Sequence, residues 1–408
     1  MICAVLLTAC YDSREIDSLA YPIAMGLDIG KTNNLKLTLQ IAVPLATEGG
    51  GGESSKDGGG GKSTSIIAVD TPSLYSGLNL INNIISKQLN LSHTKLIVFS
   101  KALAQQGFGK YMHAIERGRE FRDNIYFAVS EGSAEDFLRN VNPLLEKNPA
   151  KFYELLLGSI YTGFFPNVVF RDFYFQQESD SIQPVAILAG VSKYTSSEEF
   201  DAGQSTTLRK GNEYVLEGDY KAGGVPVASD GKSEVMGMAV FKGDMMVGET
   251  DGAESSYYLL ATGKYNYAYW SIPDPRSKGE YVIMNISQRR KPGIKVDFSS
   301  GKPAISLKLV LEGDFTSIQS AEDYESENEP IEKATEELIK KEVTKFLNRT
   351  TKEFNSDICG FGKVVKGKFL TWDEWKEFKW FDKYGNSTFN VEVDFKVRRT
   401  GLMIKSVK

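Results

Sequence analysis

The sequence predicts an α+β protein of three mixed α/β domains, each a β-sheet packed with helices. Three observations carry this expectation. Leu35, Leu37, Leu39, Ile41 and Val43 alternate with Lys36, Thr38, Gln40 and Ala42, the period of two that marks a half-buried strand. From Leu74 the period becomes helical, with Leu74, Leu78, Ile81, Ile85 and Leu89 on one face, and strand and helix signals then alternate. At Pro184 the texture shifts to short strand signals and glycine, and near Tyr281 a third unit begins. A chain of 408 residues has room for two or three domains at about 100–200 residues each. The expected units are residues 11–183, 184–280 and 281–408, following a short leader at 1–10.

Taken in order, Tyr21–Leu27 is the expected partner of the 35–43 strand, joined through Gly30-Lys-Thr-Asn-Asn34. Two glycine quartets follow, Gly49–Gly52 and Gly58–Gly61. Glycine loses the most backbone freedom on ordering, so 49–61 reads as a mobile loop. Within it Gly61-Lys62-Ser63 imitates the end of a phosphate-binding loop. That pattern needs glycine at position 56, where the chain has Lys56, and it needs a helix next. Ser65–Val69 reads as strand, so nucleotide binding is rejected. Beyond the helix at Leu74 come a strand at Lys95–Phe99, a helix over Lys101–Glu116, a strand at Ile125–Val129 and a helix from Ala134.

In the second unit, Glu234–Gly248 reads as a hairpin turning at Lys242-Gly243-Asp244. Tyr257, Tyr258, Tyr265, Tyr267, Tyr269 and Trp270 crowd the next stretch. Such density either packs a core, the reading preferred here, or lines a small-ligand pocket. In the third unit Ile305, Leu307, Leu309 and Leu311 alternate as a strand. Pro330 opens the longest helix, 330–355, with Ile331, Ala334, Leu338, Ile339, Val343, Phe346 and Leu347 at helical spacing. The strand Phe389–Val397 closes the unit and runs into Arg398-Arg399-Thr400-Gly401.

Composition excludes several functions. Hydrophobic residues are 41% and charged residues 25%, ordinary for a globular chain. The net charge of -5 argues against a nucleic-acid partner, which needs a basic face. After Cys10 no run of 18 apolar residues offers a spanning helix. With Cys3 and Cys10 assigned to the leader, Cys359 is alone, which excludes an internal disulfide and a cysteine-based metal site. His93 and His113 are the two histidines. That scarcity disfavours zinc hydrolase and Ser-His-Asp chemistry, and a hydrolase built on paired carboxylates is a distant third reading. His93 reads as a loop residue rather than a ligand. No cofactor and no catalytic residue is expected.

The first ten residues end in Leu7-Thr8-Ala9-Cys10, the cleavage-point pattern of a bacterial lipoprotein signal. The Cys10 thiol would take the lipid, leaving an extracytoplasmic ectodomain. A secretory signal has a basic start and an apolar core of about 7–15 residues. No Lys or Arg precedes Cys10, so the true translation start is expected upstream of Met1.

The chain resembles the Ger(x)C family, the C-subunit lipoproteins of spore germinant receptors. The likeness begins at Leu7-Thr-Ala-Cys-Tyr-Asp-Ser-Arg-Glu-Ile16, where the family has a lipobox followed by Trp-Asp and Arg-Glu-Ile. It continues through the glycine-rich loop, Ser92-His-Thr-Lys-Leu-Ile-Val98 and Met238-Ala-Val-Phe-Lys-Gly-Asp244. It closes on Asp357-Ile-Cys-Gly-Phe-Gly362 and Val397-Arg-Arg-Thr-Gly-Leu402. Cys359 stands where the family usually has Phe, which suits a buried apolar thiol. The resemblance implies lipidation at Cys10 and attachment to the outer face of the spore inner membrane. It also implies two membrane partners, the A and B subunits, and a non-catalytic role in nutrient-triggered germination. The competing expectation is a lipid-anchored solute-binding protein that captures the germinant directly, with 257–270 as its pocket.

Overall fold

The structure, a computed structural model, describes residues 15–43, 64–143, 145–146, 148–158, 163–196, 215–299, 301–320, 322–324 and 326–399. Cys10, the 49–61 loop with Gly61-Lys62-Ser63, and Thr400-Gly401 lie outside the described residues.

The chain enters through β1 (Leu19–Ala20) and β2 (Pro22–Asp28), which leads antiparallel into β3 (Leu35–Ala42) and β4 (Thr64–Thr71). Helix α1 (Leu74–Asn82) returns along the sheet to β5 (Gln88–Leu89), which pairs with β1. Then come β6 (Leu96–Ser100), α2 (Lys101–Gln106), α3 (Gly109–Glu116), β7 (Tyr126–Ser130), α4 (Ala134–Asn140), α5 (Pro149–Leu157) and α6 (Phe170–Gln177). Strands β8 (Val185–Val191), β9 (Ser233–Lys242) and β10 (Met245–Thr250) complete an eight-stranded sheet of order β10-β9-β8-β7-β6-β2-β3-β4. Its centre, β2-β6-β7-β8, is parallel.

After α7 (Gly252–Thr262), strands β11 (Tyr267–Pro273), β12 (Tyr281–Gln288), β13 (Gly293–Asp297) and β14 (Ala304–Ile318) form a second sheet. Helix α8 (Glu329–Lys352) packs beneath it. Short helices α9 (Phe361–Lys366), α10 (Trp372–Phe378) and α11 (Trp380–Tyr384) precede β15 (Thr388–Arg399), which pairs parallel with β14. The fold is α+β, with mixed sheets packed by helices.

The sheets do not follow the expected division at 184 and 281. The stretch 184–250 has no sheet of its own, because β8, β9 and β10 continue the first one. Val185–Gly190 is buried throughout, as fits an interior strand that pairs parallel with β7 and antiparallel with β9. Likewise β11 joins β12 across the 280/281 boundary.

Two helices also end sooner than their periodicity suggests. Helix α1 stops at Asn82, and Leu89, in phase with its apolar face, pairs through its backbone with Ala20 instead. The expected 101–116 helix is two, because Gly107 sits at φ +89 and breaks the ladder between α2 and α3.

Candidate functional site

The carboxyl ends of the parallel strands bring Asp28, Ser100, Ser130 and Val191 to one rim. In open α/β sheets this is where ligands bind. Asp28 closes β2 and is almost wholly buried. It accepts the N–H groups of Ala134 at 2.8 Å and Glu135 at 3.0 Å, fastening the start of α4 to the strand. Burial raises its pKa, against the pull of those two donors and Lys36. Lys36 in turn pairs with Glu135, which Arg139 also holds at 2.6 Å.

Next along the rim, Lys101 at the start of α2 meets Glu131 at 2.9 Å and Glu249 of β10 at 2.5 Å. Lys221 reaches the other oxygen of Glu249 at 2.7 Å. Two carboxylates thus share one ammonium while only one of them has a second. Burial is the strongest influence on both and raises Glu131, whose single lysine does not offset it. Against the same penalty, the hydrogen bonds from Lys101 and Lys221 hold Glu249 below the ordinary carboxylate range. Beside this cluster opens a cleft of about 650 Å³ lined by Gly132, Ser133, Lys193, Lys221, Glu131 and Glu249. Its chemistry is that of a binding surface with both signs of charge. Among the described residues no cluster of His, Cys, Asp or Glu is arranged to hold a metal.

A second concentration of polar groups joins the two sheets. Asp357 is fully buried and accepts N–H groups from Gly360, Phe361 and Gly362 at 2.9, 3.1 and 2.7 Å, plus Trp380 Nε1 at 2.8 Å. Its carbonyl accepts the N–H of Gln183, whose own side chain accepts from Gly243 in the β9–β10 turn. Ser356 donates to the Phe241 carbonyl at 2.6 Å, and Asp244 accepts from Gly109 at the start of α3. The segments 238–244 and 357–362 are therefore a structural junction, with every one of these polar groups occupied.

The sequence-predicted residues fall as follows. Cys10 lies outside the described residues. Of the aromatic stretch, Tyr258, Tyr265 and Trp270 are core, and Tyr257 packs edge-on against Trp270 with ring centres 5.9 Å apart. Tyr269 is exposed on β11. Tyr257 also meets Phe346 of α8 and Tyr265 meets Trp270, so these buried rings pack against one another and against α8. His93 packs its ring against Tyr21, and His113 meets the Tyr174 hydroxyl at 3.3 Å. Cys359 is buried, and desolvation pushes its thiol well above the usual range. The Lys101–Glu131–Glu249–Lys221 cluster had no signal in the sequence, since its members come from four separate segments and carry no spacing pattern.

Residues 12–191 match the family model described as the spore germination protein N-terminal domain, and residues 236–401 match that described as spore germination B3/GerAC like, C-terminal. Spore germination protein KC of Bacillus subtilis (strain 168) is 23% identical, the alignment covering 100% of this chain and 96% of that protein. Spore germination protein B3 of the same organism is 21% identical, covering 98% and 96%. Spore germination protein A3 is 28% identical over 38% of this chain and 40% of its own length. The crystal structure of the GerBC protein superposes with a TM-score of 0.53 at 14% identity, covering 91% of this chain and 96% of that one. That likeness is one of fold.

Proposed function

The chain belongs to the GerAC-like family of spore germination proteins, and on that premise we propose that it is the lipid-anchored C subunit of a spore germinant receptor. A role in spore germination follows from the membership itself. The finer reading adds attachment through Cys10 to the outer face of the spore inner membrane and protein–protein contact with the membrane A and B subunits. The observation that carries it is coverage: relatives named for spore germination align along essentially the whole chain. No helix among the described residues is long and apolar enough to cross a membrane, and a diacylated cysteine with a further acyl chain gives the two signals that stable attachment needs.

A non-catalytic role fits the occupation of the charged groups. Lys101 and Lys221 together balance Glu131 and Glu249, while Asp357 and Cys359 are enclosed at the junction. The test is Cys10→Ala in the native gene, with membrane partitioning and nutrient-triggered loss of spore refractility as readouts. Wild-type protein is expected in the detergent phase with a lipid-modified mass at Cys10, and the variant in the aqueous phase with germination through this receptor lost. Detergent-phase partitioning that survives the substitution overturns the anchor.

One observation favours a second reading, direct capture of a germinant: the cleft at the carboxyl rim carries both signs of charge. The rim, not the 257–270 stretch, would be its site. Calorimetry of the purified protein with amino acids and sugars separates the two, since heat of binding that disappears in Lys221→Ala supports capture.

A further inference from the structure

The two ends of the first sheet differ in kind. The carboxyl rim is ionic, with Lys36, Lys101, Glu131, Glu135 and Glu249 paired along it. The opposite end, where the parallel strands begin, collects exposed apolar side chains from distant parts of the chain. Ile84 lies in the turn between α1 and β5, and β5 pairs with β1 just ahead of β2. Val43 follows β3, whose Ile41 pairs with Pro22 at the start of β2. Phe175 is on α6, which starts from the Phe170–Ile125 hydrogen bond beside β7.

Leu370 and Trp372 belong to the α9–α10 corner. Asp180, just ahead of β8, anchors that corner through Lys366 and Trp375, each at 2.8 Å. Leu370 is 95% exposed, Ile84 70% and Phe175 61%. Near the carboxyl rim Ile29, Tyr75 and Val227 do not exceed 49%, and Leu145, in the connection between α4 and α5, is a single side chain exposed at 96%. Exposed apolar side chains gathered at one end of a sheet supply the material of an interaction surface.

The chain itself indicates the occupant. Its first described residue, Glu15, leads through β1 into β2 at this same apolar end. Glu15 is five residues along the chain from Cys10, a reach of at most about 18 Å when fully extended. Lipid on Cys10 therefore keeps Glu15, where the chain enters this end of the sheet, within that distance of the bilayer surface. The chemistry agrees: Lys366 stands 4.0 Å and Lys376 5.5 Å from the Trp372 ring. Aromatic rings beside lysines are the side chains that settle at the membrane–water interface.

We propose that the amino-terminal end of the parallel strands, with Ile84 and the Leu370–Trp372 corner, rests on the lipid surface, so that the ionic cleft at the carboxyl rim faces away from the membrane. This inference rests on the Cys10 anchor, and its test keeps the two apart. The full chain, lipidated in a bacterial host, is reconstituted into vesicles of phosphatidylglycerol and phosphatidylcholine. An environment-sensitive fluorophore is placed at Ile84→Cys, Leu370→Cys or Lys193→Cys, all at exposed positions, while buried Cys359 stays unlabelled.

The expected result is a blue shift at 84 and 370, and loss of that emission to a nitroxide carried on the lipid, with no change at 193. Quenching at 193 as strong as at 84 overturns the orientation, as does an unquenched label at both 84 and 370 on protein that floats with the vesicles. Protein that fails to float at all overturns the anchor and the orientation together.

Discussion

The indole Nε1 of Trp380 donates to Oδ2 of Asp357 across 2.8 Å, with both side chains shut away from water. Three backbone N–H groups complete the carboxylate's shell. Burial still dominates, raising the Asp357 pKa to about 6. Removing the carboxylate strands four donors in the joint between the sheets, and each buried unsatisfied group costs about 1–3 kcal/mol. Asp357→Ala is therefore expected to lower unfolding free energy by about 4 kcal/mol or more on that scale. Trp380→Phe, which removes one donor and leaves the shell otherwise intact, should cost about half as much. Urea titrations of both variants check the ratio. Equal small losses would show that the joint does not depend on this carboxylate.

Stability should fall as pH rises from about 4 to 7. Asp251 caps α7 by accepting the Glu254 N–H at 2.8 Å. Desolvation, reinforced by the charges of Glu254 and Asp219, raises its pKa to about 7. Its folded value lies above the unfolded one, so the folded state keeps a proton that the unfolded chain gives up. That contribution is complete below about pH 4 and gone above about 7, each pH unit between being worth at most about 1.4 kcal/mol. Asp357 acts in the same direction up to about pH 6. Glu249 and Asp70, whose values are lowered, titrate below this window. Asn caps helices as well as Asp does, so Asp251→Asn should keep the helix and flatten the slope of unfolding free energy between pH 4 and 7. An unchanged slope in the variant would remove Asp251 as its source.

Gly237 and Gly243 separate two costs of replacing glycine. Both have positive φ, +87 and +61. A Cβ on Gly243 meets nothing, whereas one on Gly237 runs into the Thr250 carbonyl oxygen. Gly243→Ala should cost about 1 kcal/mol, the conformational penalty alone. Gly237→Ala adds a clash with backbone across the β9–β10 pair, for a loss of about 3 kcal/mol or more. Thermal unfolding of the two variants side by side measures the difference.

Regular local pattern was legible in the sequence, and non-local partnership was not. The alternation over 35–43 became β3, the 330–355 helix became α8 at Glu329–Lys352, and the turn at Lys242-Gly243-Asp244 joins β9 to β10. Each depends on neighbours within a few residues. The allocation of β8, β9 and β10 to the first sheet depends on β7, separated from β8 by three helices, and no period encodes that. The rim cluster is the same case, since Lys101 finds Glu249 only after the sheet is assembled. The aromatic stretch carried density without direction: Tyr258 and Tyr269 look alike in sequence, yet one is buried and the other exposed. The expectation of lipidation at Cys10 rests on the Leu7–Cys10 pattern together with the family resemblance, and it concerns residues the structure does not describe.

Cys359 provides a clock for the opening of the junction. Its thiol lies two residues from Asp357, is 7% exposed, and is pushed well above its usual pKa by desolvation and by the Asp357 charge. The thiolate is the reactive form, so two barriers act on the native protein: little thiolate and little access. In a Cys3→Ser, Cys10→Ser background, Cys359 should not react with a disulfide reagent at pH 8 on the timescale of a free cysteine. Its reaction should accelerate with sub-denaturing urea in parallel with global unfolding, because exposing it requires separating the elements that Asp357 holds. In Asp357→Ala the same thiol should react faster by the factor that the stability loss predicts. A rate near that of free cysteine in native wild-type protein would mean that the junction opens locally, and that its hydrogen bonds do not bind the two sheets into one cooperative unit.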